Sequence, residues 1–291
     1  MTSEEVFSYS RLSTLLSCAQ KYRLRYVEQW EELETSKSIT RGREVEKAVY
    51  ALMDYAVEKT TPGKLWGEEP TLADEITAFS LPEIDPGHVE IAKSITKGMI
   101  GGGLTPVTGP NGKPLIQGGL TGMIGGTPFQ GFYDLILRTR EGKVSLVDLK
   151  VVSRSPHLPF APHSLQLRVY DALLASEDTE LNRLVTETGL LFAVVSTKQT
   201  TLLYDSVPRT RLSGSREELN TEVKMVMAQL SLYKRMDFFP RKILGHYDSP
   251  CQMCSFEALC LKGDQSQVRK SAARMAAALR HAVIEDARSF W

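Results

Sequence analysis

GFYDLILRTREGKVSLVDLKVV, residues 131–152, is the stretch that decides the fold. Its second half, VSLVDLKVV (144–152), is a near-continuous β-branched and aliphatic run, the pattern of a strand buried on both faces. Its first half closes a second strand, PFQGFYDLILRT (128–139), and Glu141-Gly142 between the two marks a hairpin turn. Residues two apart on a strand share a face, so Asp148 and Lys150 project together. The hairpin partner brings Asp134, expected inside its strand, alongside them. Two hard carboxylates converging in this way bind Mg2+ or Mn2+. Such a metal polarises a phosphodiester and lowers the pKa of a bound water, and a nearby lysine orients that water and stabilises developing negative charge. A charged D-x-K on a strand otherwise means a solvated face. Here its neighbours Val147, Leu149, Val151 and Val152 are apolar, and burying Asp and Lys among them is costly unless they are paired or hold a metal.

Outward from this hairpin, HSLQLRVYDALLAS (163–176) has helical periodicity and LLFAVVST (190–197) is another buried strand. LIQGGLTGMIGG (115–126) predicts a further strand in a glycine-rich region that excludes helix. Towards the N-terminus, residues 9–30 predict one helix, with Leu12, Leu15, Leu16, Ala19, Tyr22 and Tyr26 at helical spacing and Ser10 or Ser13 as its cap. A second helix is predicted over about 42–57, with Val45, Val49, Leu52 and Ala56 on one face. Residues 60–90, rich in Pro, Gly and acids, look like an insertion with short helical pieces. Helices are expected near 215–236 and 265–288, on either side of a Cys-rich loop. Strands, then helix, then strand indicate an α/β fold, a central mixed sheet flanked by helices.

The composition, 42% hydrophobic and 24% charged with zero formal net charge, is that of an ordinary globular chain. Charge is uneven: residues 54–90 carry nine acids and two bases, and 262–291 carry six bases and three acids. A nucleic-acid enzyme needs only a local basic surface, and Lys21, Arg23 and Arg25 with Tyr22 and Tyr26 are candidates to track a strand. The polar N-terminus has no signal-peptide core, and no apolar run approaches the ~18 residues of a membrane span. A cytoplasmic protein without a membrane partner is expected. GPNGKP (109–114) lacks the spacing and the Ser/Thr of a phosphate-binding Walker loop, so ATP-driven unwinding is not expected of this chain.

The four cysteines are Cys18, Cys251, Cys254 and Cys260. Reducing compartments disfavour structural disulfides, and four is the ligand number of a closed thiolate site. A C-x2-C turn lets two thiolates bind one centre. Left open by spacing alone are an inert Cys18 and a zinc site of the other three cysteines completed by His246.

G-x-x-D, then D-x-K about fourteen residues later, then Gln166 and Tyr170 as Q-x-x-x-Y on the next helix, resembles the RecB-type branch of the PD-(D/E)XK nucleases. The resemblance implies a restriction-endonuclease-like core. It implies Asp134, Asp148 and the Leu149 carbonyl as metal ligands, Lys150 as catalytic lysine, and Gln166 and Tyr170 along the DNA-binding edge of the site. The family places a histidine ligand four residues after a glycine on an early helix. Here Glu46 follows Gly42 at that spacing, a departure in which a harder oxygen donor fills the role; Glu44 lies roughly 200° round the helix. LSTLLSCAQKYRLRYV (12–27) is similar to the opening of iron–sulfur nucleases, including the AddB nuclease domain and the RecB-like exonucleases of CRISPR adaptation. In those, one early Cys joins a C-terminal C-x2-C-x5-C trio around a 4Fe-4S cluster; Ala19 stands where a proline often follows that Cys.

The expected organisation is one nuclease domain over 1–291: N-terminal helices with the first cluster Cys (1–60), a variable insertion (61–112), the nuclease core (113–205), and C-terminal helices with the cluster-binding loop (206–291). The expected activity is metal-dependent DNA hydrolysis, as an exonuclease on single strands or duplex ends. A non-catalytic nucleic-acid-binding protein with structural zinc is the alternative. Recombination or CRISPR-adaptation partner proteins and homo-oligomerisation stay open.

Overall fold

The computed structural model describes residues 5–33, 37–60, 66, 71–157, 159–176, 179–196, 199–213, 215–242, 251 and 254–272. The chain divides into two compact units, neither continuous in sequence: residues 1–35, 123–130 and 220–291, and residues 36–122 and 131–219.

In the first unit, the helix expected over 9–30 is broken. α1 (Tyr9–Ser17) is capped by Ser8, whose side chain accepts from Arg11 N–H, and it stops at Cys18. Cys18 takes an extended backbone (φ −164°, ψ 115°) before α2 (Ala19–Tyr22) and a π-helical turn, Arg23–Val27. No Pro or Gly forces this break. β1 (Trp30–Glu32) pairs antiparallel with β9 (Val268–Lys270), so a strand occupies part of the helix expected over 265–288, and residues 273–291 lie outside those described. Apolar residues from both chain ends, Leu24, Phe256 and Val268, bury together with Trp30, Cys254 and Cys260 against them.

The second unit holds a five-stranded sheet in the order β2-β5-β6-β7-β8. Its strands are β2 (Thr105–Pro106), β5 (Leu135–Arg138), β6 (Val144–Val152), β7 (Glu187–Val195) and β8 (Thr200–Pro208). β5 and β6 form the expected hairpin, with Gly142 at φ +81° in its turn. β6 and β7 are parallel, which demands a crossover. That crossover carries α6 (Leu165–Ser176) and α7 (Glu180–Leu184).

Alternation along β6 sorts its side chains. Val147 and Leu149 join Leu135, Leu137, Leu191 and Ala193 in a core with Val45, Val49, Leu52 and Met53 of α3 (Lys37–Lys59) and Ile95 and Met99 of α5 (Pro86–Gly101). Each fully buried aliphatic side chain there contributes about 1.5–3 kcal/mol. Asp148 and Lys150 take the opposite face, the one α6 covers.

Residues 61–112 thus supply α4 (Leu72–Ala78), α5 and β2. α5 carries the signature of a helix start, Asp85 capping and Pro86 in the first turn. Its Gly98 is a packing residue: a Cβ there would lie 2.6 Å from Leu202 Cδ1 of β8. The strand expected through 128–139 is two strands. β3 (Gly119–Ile124) and β4 (Thr127–Phe132) form their own ribbon, and the chain bends at Tyr133–Asp134 before entering the main sheet as β5.

Candidate functional site

Asp134 therefore stands at the bend between two sheets rather than inside a strand. The β5–β6 ladder begins at Leu135↔Val147, so Asp134 falls opposite Asp148 where no strand partner continues. The backbone N–H of Leu149, left free by the end of β5, donates to Asp134 Oδ2 at 2.7 Å. The Leu149 carbonyl points to the same edge of the strand.

Asp148 is buried, its side chain 5% exposed, while that of Lys150 is 41% exposed with Nζ 2.6 Å from Asp148 Oδ2. The lysine is thus paired below and open above. Asp148 Oδ1 accepts from Gln166 Nε2 at 2.5 Å, and the same Nε2 donates to Tyr170 Oη at 3.0 Å. Tyr170 Oη in turn donates to the Phe132 carbonyl at 2.7 Å. Gln166 and Tyr170 are buried and turned onto Asp148, so they hold the carboxylate from beneath rather than forming an open edge. The reason is their i,i+4 spacing on the α6 face that packs on β6.

From α3, Glu46 reaches the same place. Burial, then the charges of Asp134 and Asp148, push its pKa up to about 7 against the pull of Lys150. Tyr50, one turn further along α3, hydrogen-bonds Asp134. Tyr50 is the residue that sequence reasoning missed; its i+4 relation to Glu46 was the available signal. Glu44 faces elsewhere, 2.5 Å from His88 Nδ1. Burial foremost, then Asp148, raises the pKa of Asp134, and burial raises that of Asp148. Burial alone would lower the pKa of Lys150, but Asp148 and the other carboxylates outweigh it and raise it.

Among the described residues, no three His, Cys, Asp or Glu side chains converge as a finished cage for one metal ion. The donor set still fits a hard divalent cation. All donors are oxygens, burial raises the carboxylates and neighbouring charges add to the rise at Asp134 and Glu46, and Asp148 Oδ2 is a buried atom without an aligned hydrogen bond, Lys150 Nζ lying 2.6 Å away.

In the other unit all four cysteines are free thiols. The break at Cys18 takes that residue out of its helix, and Cys254 N–H donates to the Cys251 carbonyl at 3.0 Å in a tight turn. Burial raises the Cys260 thiol, and Cys18, Cys251 and Cys254 each add to the rise against Arg241. Among the described residues the cysteines do not close into a group of three that could hold a single metal ion. His246 lies outside the described residues. The segment with Lys21, Arg23 and Arg25 is not an open basic stripe: Tyr22 is fully buried, and Arg23 is tied to Glu28 and Asp237. Among the described residues, no helix is long and apolar enough to cross a membrane.

Compared with known proteins, the sequence matches the family described as PD-(D/E)XK nuclease superfamily over residues 6–261. No curated protein matches. A crystal structure from Eubacterium rectale, of a protein whose exonuclease designation is provisional, aligns with 15% identity and a TM-score of 0.49, covering 83% of this chain and 86% of its own. The structure of SSO0001 aligns with 15% identity and a TM-score of 0.27, covering 50% of this chain and 59% of its own.

Proposed function

The chain belongs to the PD-(D/E)XK nuclease superfamily and is a hydrolytic nuclease; from that premise we propose that it is an exonuclease acting on single-stranded DNA or DNA ends, of the RecB-like iron–sulfur branch. The observation that carries the reading is the pair Asp148–Lys150 on one face at the carboxyl end of β6, with Asp134 hydrogen-bonded to the intervening Leu149 N–H. Membership displaces the alternative of a non-catalytic binding protein.

Asp134, Asp148, Glu46 and the Leu149 carbonyl would hold Mg2+ or Mn2+, the ions such nucleases generally use. When bound, the ion polarises the phosphodiester and supplies a water of lowered pKa. Lys150, with its ammonium open to solvent, meets the scissile phosphate and stabilises the charge that develops on it. Gln166 and Tyr170 aim Asp148, and Tyr50 aims Asp134. Cys18, Cys251, Cys254 and Cys260 would hold a 4Fe-4S cluster that ties the N-terminal helices to the C-terminal loop, a structural role. On this reading the whole of 1–291 is one nuclease, with the chemistry in 113–205 joined by Glu46 from the N-terminal helices.

Lys150→Ala and Asp148→Ala should each lower cleavage of end-labelled DNA by at least about a thousandfold while circular dichroism and iron content stay unchanged. Near-wild-type cleavage by either variant refutes the assignment.

A further inference from the structure

In the unit that carries the site, only three large apolar side chains stand exposed among the described residues: Ile39, Phe132 and Phe160. The two aromatics are each tied to the site by sequence or by register. Phe132, 63% exposed, precedes the bend at Asp134 by two residues, and its carbonyl is the one Tyr170 donates to. Its ring lies over Gly119 of β3, where a Cβ would sit 3.5 Å away, so the ring is backed by backbone. Phe160, 45% exposed, is in the connection that leaves β6 for α6. It meets Phe192 edge-on, with centroids 6.0 Å apart and planes at 90°. Phe192 is the register partner of Lys150 on β7 and therefore shares its face of the sheet. The N–H groups of Phe160 and Ala161 both donate to Asp205 Oδ2, at 2.5 and 2.6 Å, which pins the backbone beneath the ring.

Phe132 thus stands two residues from Asp134, and Phe160 packs on the register partner of Lys150. Folding gains nothing from leaving two phenylalanines in water, and neither helps to hold the carboxylates through its side chain. Every nucleobase offers a π-face to such a ring once it is unstacked from its partner strand.

We propose that Phe132 and Phe160 are stacking platforms for unpaired nucleobases flanking the scissile phosphate, so that the site selects a single DNA strand over an intact duplex. This rests on the nuclease reading above and names its substrate form. Each ring touches bases and not the reacting atoms, so it sets specificity.

The test is binding, read separately from cleavage. Full-length protein, with Ca2+ in place of Mg2+ to suppress turnover, is titrated against three fluorescent probes of equal length: a single strand, the same strand with abasic sites, and a duplex. Wild type should bind the base-bearing strand at least about 5-fold more tightly than the abasic one, the gain expected of a single stacked base. Phe132→Ala with Phe160→Ala should lose that preference, with circular dichroism checking that the variant is folded. Replacing both by Trp should restore it. Equal wild-type affinity for the abasic and base-bearing strands overturns the proposal, as does a double-alanine variant that still discriminates. Cleavage in Mg2+ is scored in parallel: a wild type that cleaves without discriminating overturns the stacking proposal and leaves the nuclease reading standing, and one that discriminates without cleaving removes the nuclease reading and with it the placement of the rings beside a scissile phosphate.

Discussion

Tyr170→Phe removes one oxygen from the site and should cost both stability and metal affinity. The hydroxyl has a single proton, and the Phe132 carbonyl at 2.7 Å takes it in preference to Asp148 Oδ1 at 3.4 Å. Its oxygen accepts from Gln166 Nε2 at 3.0 Å, so both hydrogens of that amide are used, one on Tyr170 and one on Asp148. Phenylalanine leaves a carbonyl and an amide hydrogen without partners where Tyr170 is 4% exposed. An unmade buried hydrogen bond costs about 1–3 kcal/mol, and partial re-aiming of Gln166 brings the pair to roughly 2–4 kcal/mol. For a unit of this size that is a melting temperature lower by about 5–15 °C. Asp148 keeps its charge but loses the clamp that aims it, and loss of such support typically costs about 10- to 100-fold in metal affinity or activity. Thermal melting by circular dichroism and the Mg2+ midpoint of cleavage measure the two effects. A variant that melts within about 2 °C of wild type with an unchanged Mg2+ midpoint would show that Tyr170 does not orient Asp148.

Glu46→Gln keeps the size and removes the charge, so cleavage should require higher Mg2+ or Mn2+; an unshifted titration returns Glu46 to the role of a solvated helix residue. Cys18→Ser should strip iron and sulfide as completely as Cys254→Ser, whereas full metal retention, with zinc in place of iron, would point to a site built without Cys18. Chelated protein should lose stability as pH rises. Glu46 binds its proton up to about 7 in the fold against an ordinary value of 4.5, and Asp134 is raised too. The folded state therefore holds protons that the unfolded chain has released, and the stability present below the ordinary carboxylate range is lost as pH climbs towards 7. Melting temperatures between about pH 5 and pH 7.5 should fall, less in Glu46→Gln, and added Mg2+ should offset the fall; a flat profile refutes the shift.

The hairpin that places Asp148 and Lys150 was legible because its signals are local: a β-branched run, a Glu-Gly turn and a two-residue period. What escaped was set by tertiary contact. Asp134 was read inside a strand because the aromatic and aliphatic residues on either side of it, Phe132, Tyr133, Leu135 and Ile136, favour β structure. The bend arises from partners distant in sequence, the Leu149 N–H and Tyr50, which offer its carboxylate hydrogen bonds at that point. α5 was not read because 60–90 looked like an insertion with short helical pieces and 91–101 were given no element, although Asp85 and Pro86 mark its start and Gly98 lets it approach β8. Gln166 and Tyr170 were found as a motif, but their burial was not, since a four-residue spacing defines a helix face and not what covers it. The break at Cys18 has no mark in the sequence at all: Ala19 follows it where a proline would have announced the turn.

The site sets like charges against one another, and the fold must hold them there. Glu46 on α3, Asp134 at a bend and Asp148 on β6 repel, and each is raised by burial. Lys150 offsets part of this. The helix that clamps Asp148 is anchored by a separate device one residue beyond Tyr170. Asp171 is fully buried and accepts from Arg209 Nε at 2.7 Å and from Arg216 Nε at 2.7 Å and Nη2 at 2.9 Å. Arg209 also donates to the carbonyls of Asn182 and Val185, which end the crossover. Such a network adds little net stability over an apolar replacement, yet breaking it by removing one partner is costly, which makes it suited to fixing geometry. Successive residues of α6 thus do opposite things: Tyr170 turns to the buried carboxylates, and Asp171 ties the helix to Arg209 and Arg216 in the register from which Tyr170 and Gln166 reach Asp148.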